Sequence, residues 1–170
     1  SGRMKSREGT VVDADDLLDV MEATAKRLSE ELGKVEGMDD TQRAALYRTL
    51  GHGALKYYIL KVDPRKRMVF NPEESIDFNG HTGPFLQYTH ARICSILRKA
   101  GEVGAWSWED VRLAPKEKEV IKVLAKFPET VQKAADDQNP SDLANYLYDL
   151  AKTYNGFYQV HSVLNAETPH

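Results

Sequence analysis

Apolar residues recur at three- and four-residue steps along most of the chain, and this spacing limits the possible folds more than any other feature. The first run of this kind follows Asp13 and contains Leu17, Leu18, Met21, Ala25, Leu28 and Leu32. Side chains three and four residues apart share one face of an α-helix, so the run predicts an amphipathic helix. Similar runs occupy residues 40–59, 84–99, 115–127, 128–135 and 142–158. No strand pattern competes with them, and the sequence therefore predicts an all-α helical bundle.

Proline and glycine separate these runs. Gly33 is expected to end the first helix, and Pro64 the second. Residues 68–70 are apolar enough for one short extended segment at most, because Pro72 follows them closely.

Two glycines, Gly51 and Gly53, stand inside the second predicted helix. Glycine weakens a helix interior by about 1 kcal/mol relative to alanine. Their presence predicts a bend, or a point where another helix approaches closely.

The composition excludes several classes of protein. The 170 residues carry a formal net charge of −3, which rules out a nucleic-acid binder that is basic over its whole surface. No apolar run approaches the roughly 20 residues that cross a bilayer, and the first residues do not form a signal peptide. The lone cysteine, Cys94, cannot form an internal disulfide or a cysteine-based zinc site, which indicates a reducing, cytoplasmic setting.

One stretch departs from this acidic background. Between Asp77 and Glu102 there is no acidic residue. On a helical wheel, one side of the helix in this stretch is expected to form a core stripe of Leu86, His90, Ile93 and Leu97. The opposite side combines aromatic rings with cations, namely Phe85, Tyr88, Arg92 and Lys99.

Aromatic rings beside an arginine suit the binding of unpaired bases. Each base stacked on a ring contributes roughly 1–3 kcal/mol, and arginine adds contacts to phosphate or to a base edge. The pattern alone also fits a second interpretation, in which Phe85 and Tyr88 pack under a neighbouring loop and Arg92 caps backbone carbonyls. Both interpretations stay open at this point.

Residues 83–92 read G-P-F-L-Q-Y-T-H-A-R, and they resemble the G-P-Y-L-Q-Y-A-H-A-R signature of arginyl-tRNA synthetases. Other blocks are similar to that family in the same order: residues 54–57, 96–101, 127–129 and 146–151. Residues 4–12 followed by 15–18 are similar to its degenerate KMSKS region. The resemblance covers nearly the whole chain.

The resemblance implies the C-terminal part of a class I aminoacyl-tRNA synthetase, an arginine–tRNA ligase that uses ATP with magnesium. Residues 1–38 would be the KMSKS-like loop and connecting helix from the end of the catalytic domain, and residues 39–170 a C-terminally truncated helical anticodon-binding domain. The expected partner is the anticodon loop of arginine tRNA. The expected full-length enzyme is a cytoplasmic monomer without a membrane anchor.

The resemblance also implies roles for particular residues. Phe85, Tyr88 and Arg92 match positions that approach the anticodon loop in the family, although Phe85 replaces a tyrosine of the signature. Stacking survives that change, whereas a phenolic hydrogen bond does not. Arg98 and Lys99 are expected to join Arg92 in neutralising loop phosphates.

The genetic code supplies a separate constraint on such a site. Every arginine codon has G in the middle, so every arginine anticodon has C there. A reader of this base needs an acceptor for the cytosine amino group. Phe85 and Arg92 cannot accept a hydrogen bond, which leaves the Tyr88 hydroxyl, a backbone carbonyl or a group outside this helix.

The sequence also departs from the family pattern. The ATP-binding HIGH motif is absent, and the KMSKS-like loop lacks the usual second lysine in register. Lys5, Ser6 and Arg7 would assist catalysis only in the full-length enzyme. The 170 residues alone are predicted to bind no cofactor and to be unable to aminoacylate.

Other candidates have simpler explanations. His90 and Cys94 are one turn apart but lack a third metal ligand at matching spacing, so a packed pair is expected and no metal site. Trp106 and Trp108 are expected to cover the core. A basic stripe on the helix after Pro115 is interleaved with glutamates and predicts a surface helix. The main alternative function is a helical protein-interaction module that docks through the Phe85, Tyr88 and Arg92 face.

Overall fold

The computed structural model describes residues 13–33, 35–102 and 111–164. Within these ranges the regular structure is helical: α1 (Ala14–Glu31), α2 (Asp40–Leu60), α3 (Pro72–Ser75), α4 (Gly83–Ala100), α5 (Pro115–Ala125), α6 (Phe127–Asp136) and α7 (Pro140–Val160). The predicted all-α fold is confirmed, and residues 68–70 form no strand. Among the described residues, no helix combines the length and the apolar character needed to cross a membrane.

The helices begin and end where their terminal residues satisfy free backbone groups. At the start of α2, Asp39 Oδ1 accepts from the Gln42 amide at 2.8 Å, and Gln42 Oε1 accepts from the Asp39 amide at 3.1 Å. At the end of α4, Gly101 has φ of +66°, and its amide donates to the Leu97 carbonyl at 3.3 Å. Glycine enters this left-handed region without steric cost, which explains why α4 ends there.

The described residues divide into two compact units. The first comprises those within Ser1–Ile59 and Val69–Pro84, and the second those within Leu60–Met68 and Phe85–His170. Most of α4 and all of α5, α6 and α7 belong to the second unit, which contains the candidate site described below.

The first unit is built around the contact between α1 and α2. Its buried core consists of Met21, Ala25, Val35, Tyr47, Leu50, Ala54, Leu55 and Ile76. A Cβ atom on Gly51 would lie 2.8 Å from the backbone carbon and oxygen of Met21, so the two helix backbones meet there. The predicted close contact at Gly51 is confirmed.

In the second unit, α7 packs against both α5 and α6. The Tyr146 hydroxyl on α7 donates to the Val123 carbonyl on α5 at 3.1 Å, and the Tyr146 ring lies 5.8 Å from the ring of Phe127. Burial raises the pKa of Tyr146. An apolar cavity of about 450 Å³ lies between α4, α5 and α7, with Leu86 and Ile93 among its lining residues.

The predicted core stripe of α4 is partly wrong. Leu97 is 62% exposed and His90 is also exposed, whereas Thr89 and Ile96 are buried. The buried face of α4 is therefore turned relative to the prediction. The prediction placed the most hydrophobic side chains of α4 in the core. In the structure the polar Thr89 faces α7, where Asn155 donates a hydrogen bond to it.

Candidate functional site

The guanidinium of Arg92 lies against two tyrosine rings. Its central carbon, Cζ, is 4.9 Å from the ring centroid of Tyr88 on α4 and 4.9 Å from that of Tyr158 on α7. Tyr88 precedes Arg92 by one turn, so α4 places the first ring by its helical repeat. Both distances are within the range in which a cation is attracted to the face of a ring.

Hydrogen bonds also hold the Arg92 side chain. Arg92 Nη1 donates to Asn155 Oδ1 at 2.9 Å, and Asn155 Nδ2 donates to Thr89 Oγ1 at 2.8 Å. Thr89 Oγ1 in turn donates to the Phe85 carbonyl at 3.0 Å. No carboxylate in the described part of the chain pairs with Arg92, so its positive charge is available to a ligand.

Arg92 borders a cavity of about 300 Å³ between α4 and α7. The lining residues are Tyr88, Ala91, Arg92, Ser95, Ile96, Lys99, Tyr158 and Leu164. Two of them are cations and none is acidic. A cavity with two cations and two aromatic rings can accept a group that is both planar and anionic, such as a nucleotide.

The structure brings three of the five proposed RNA contacts together and separates two. Tyr88, Arg92 and Lys99 line the cavity, and Tyr88 is 46% exposed. Phe85 lies outside the lining, where its half-buried ring is 5.4 Å from the ring of Tyr148. Arg98 is exposed in the last turn of α4, also outside the lining.

Sequence reasoning missed the contribution of α7. Tyr154 and Tyr158 stack with centroids 6.3 Å apart and planes inclined by 23°, although both lie in the run 142–158 that the spacing marks as apolar. Burial raises the pKa of Tyr154, the neighbouring Tyr158 raises it further, and Arg92 opposes the shift. The available signal was the pair of tyrosines one turn apart, which carry hydroxyls that a purely apolar stripe does not need.

The remaining sequence candidates lie elsewhere. Lys5, Ser6 and Arg7, like Trp106 and Trp108, fall outside the described residues. In the described ranges no group of three or more histidine, cysteine or acidic side chains could hold a metal ion. His90 Nε2 is 3.6 Å from Cys94 Sγ, but His90 is exposed rather than packed in the core.

The basic stripe on α5 is exposed, as predicted for a surface helix. Its residues are Lys116, Lys118, Lys122 and, at the helix end, Lys126. Lys116 Nζ pairs with Glu119 at 2.7 Å, while Glu117 accepts from the Ala114 amide at 2.6 Å. Both glutamates therefore stabilise the helix itself.

Comparison with known proteins defines the class. The family model described as the DALR anticodon binding domain matches residues 86–170, which is half of the chain and includes Tyr88, Arg92, Asn155 and Tyr158. The chain belongs to the DALR anticodon binding domain family.

The similar proteins are arginine–tRNA ligases. The chain is 59% identical over 167 residues to the arginine–tRNA ligase of Flavobacterium psychrophilum and 55% identical over 170 residues to that of Bacteroides fragilis. In each case the match covers 98% of this chain and 28% of the relative. The arginyl-tRNA synthetase of Thermus thermophilus shares the fold with a TM-score of 0.84 at 34% identity, over 99% of this chain and 28% of that one.

These findings confirm the resemblance of the chain to arginyl-tRNA synthetases. The chain spans about 28% of the length of the curated relatives it matches. The alternative of a helical protein-interaction module receives no support from the comparisons.

Proposed function

We propose that this chain reads the anticodon loop of arginine tRNA as part of an arginine–tRNA ligase. The observation that carries the proposal is the position of Arg92, which lies against the rings of Tyr88 and Tyr158 at the edge of a cavity without acidic lining. Tyr88 offers an exposed ring on which an unpaired base can stack. Arg92 and Lys99 offer positive charge to the adjoining phosphates.

The same arrangement supports recognition of the invariant middle cytosine. The Tyr88 hydroxyl is the one acceptor among the side chains proposed from α4, since phenylalanine has none and arginine and lysine only donate. Phe85 contributes through its packing on Tyr148, which fixes the first turns of α4 against α7. Arg98 adds charge at the exposed end of α4.

For the longer enzyme, the relatives' name supports ligation of arginine to tRNA. The use of ATP with magnesium is proposed from the resemblance to class I synthetases. Lys5, Ser6 and Arg7 would then act on the ATP phosphates, within a segment 1–38 that joins the catalytic domain to an anticodon-binding domain at 39–170. We propose a cytoplasmic, monomeric enzyme. The 170 residues alone are expected to show no arginine-dependent exchange of pyrophosphate into ATP.

Binding of an arginine anticodon stem-loop to the 170-residue chain tests the proposal. Fluorescence anisotropy should show that Arg92→Ala and Tyr88→Ala each weaken binding about tenfold, because each loses a contact worth roughly 1–3 kcal/mol. Lys118→Ala is the charge-matched control, since Lys118 is exposed on α5 and does not line the cavity. Unchanged affinity in both cavity variants would refute the assignment.

A further inference from the structure

Asn155 connects the two helices that form the cavity. It precedes Tyr158 by three residues on α7, so both side chains reach α4 from one face of α7. Asn155 accepts a hydrogen bond from Arg92, and the Tyr158 ring centroid lies 4.9 Å from the carbon of the same guanidinium. We infer that Asn155 is a positioning residue for RNA binding, which acts by holding the Arg92 guanidinium in one orientation beside the cavity.

Donor and acceptor chemistry determines the orientation of the Asn155 amide. Arginine only donates, so Asn155 must turn Oδ1 toward Arg92. Its Nδ2 then needs an acceptor, and Thr89 Oγ1 supplies one because the Thr89 proton is given to the Phe85 carbonyl. Thr89 is 4% exposed, so water does not replace this contact. The chain from the Phe85 carbonyl to Arg92 therefore has one consistent set of donors and acceptors.

The asparagine side chain suits this task better than its nearest relatives. Leucine has a similar shape but would leave both Arg92 and the buried Thr89 without their partner. Aspartate would hold the guanidinium but would also pair with its charge, which the proposed phosphate contact requires. Asparagine orients the cation and leaves the charge uncompensated.

This inference rests on the proposed function, and a double-mutant cycle tests it. Asn155→Leu should weaken binding of the arginine anticodon stem-loop roughly tenfold, the effect expected when a charge-assisted hydrogen bond is lost. In an Arg92→Ala background the same substitution should change affinity by less than about twofold, because Asn155 then has nothing to orient. Equal factors in the two backgrounds, or no effect in either, would overturn the inference.

Two further variants separate positioning from stability. Thr89→Val removes the hydroxyl that holds the Asn155 amide, so it should also weaken binding and should lose its effect beside Arg92→Ala. Asn145→Ala is the matched control, because Asn145 is an α7 amide bonded to the Ser141 carbonyl at 2.7 Å, away from Arg92. If Asn145→Ala weakens binding as much as Asn155→Leu, a general loss of α7 packing explains the data and the inference fails.

A measurement without RNA distinguishes failure of the inference from failure of the proposed function. Nuclear magnetic resonance reports rotation of the Arg92 guanidinium about its Nε–Cζ bond, which should be faster in Asn155→Leu than in the unsubstituted chain. Equal rotation rates would overturn the positioning role. Different rates combined with no binding of the stem-loop would overturn the proposed function, and the RNA role of Asn155 with it.

Discussion

Arg92 obtains its fixed position from contacts of two kinds. Its guanidinium carbon lies 4.9 Å from the ring centroids of both Tyr88 and Tyr158, and Asn155 accepts a hydrogen bond from the guanidinium. A free arginine side chain loses considerable rotamer entropy when it binds a ligand. Since these contacts already restrict the side chain in the folded chain, part of that cost is met in folding, and this would favour the proposed binding of RNA.

The ion pair between Arg65 and Asp63 makes the free energy of unfolding depend on pH. Arg65 donates from Nε and Nη2 to Asp63 at 2.9 and 2.7 Å, and the Arg65 amide also donates to Asp63 at 2.9 Å. These bonds hold the pKa of the Asp63 carboxyl well below its usual range. The folded state therefore binds fewer protons than the unfolded state once the pH is near the ordinary carboxyl pKa of about 4.

This difference in proton binding between the folded and unfolded states determines the expected result for Asp63→Asn. The carboxylate contributes stability above pH 4, and this contribution is lost as the pH falls further toward the lowered pKa. Urea unfolding at pH 7 should show a lower midpoint for Asp63→Asn than for the unsubstituted chain. The difference between the two urea midpoints should narrow steadily between pH 4 and pH 2. A difference in urea midpoint that is constant or widens in acid would contradict the lowered pKa of Asp63.

Residues on one helix could be predicted as a group, whereas partners from a distant helix could not. Tyr88, Arg92 and Lys99 were selected by the repeat of α4, and all three line the cavity. Tyr158 and Asn155 follow Arg92 by more than sixty positions, and their contact with it depends on how α7 packs. Periodicity within one helix contains no information about that packing.

At the scale of the helices, Gly51 lies where the backbones of two helices come into contact, whereas Gly156 does not. A Cβ on Gly51 would lie 2.8 Å from Met21 backbone atoms, which cannot move like the end of a side chain. Gly156, inside α7, has no heavy atom within 4 Å of the corresponding position. The sequence alone shows two helical glycines of the same type, and only the structure distinguishes them.

The two glycines should respond to alanine with opposite signs. Gly51→Ala is expected to destabilise the first unit by about 1–3 kcal/mol, because the new methyl group forces α1 and α2 apart. Gly156→Ala should stabilise α7 by up to about 1 kcal/mol, since alanine is the better helix former and finds open space. Urea unfolding measures both changes. A Gly51→Ala chain as stable as the unsubstituted one would contradict the close contact.

The helix pattern also shows where sequence reasoning fails at this scale. The helix starts at Pro84, Pro115 and Pro128 were expected from proline, and α4, α5 and α6 begin within one residue of them. The burial of α4 was harder to predict, since Leu97 is exposed while Thr89 is buried. A threonine becomes a core residue here because a specific partner, Asn155, satisfies its hydroxyl.

At the scale of the whole molecule, a net charge of −3 is compatible with an RNA-binding surface. The acid-free stretch between Asp77 and Glu102 contains α4, and the cavity beside α4 is lined by Arg92 and Lys99 without an acidic neighbour. Negative charge elsewhere on the chain disfavours indiscriminate binding of nucleic acid. Selectivity for one set of tRNAs requires that other nucleic acids bind weakly.

We propose that this chain reads the anticodon of arginine tRNA, and a titration with two stem-loops measures its preference for the middle base. Two stem-loops that differ only in the middle anticodon base, C in one and U in the other, are titrated with the 170-residue chain at the same salt concentration. We expect at least about tenfold weaker binding of the U stem-loop, because the cytosine amino group is lost as a donor. Equal affinities for the two stem-loops would contradict it.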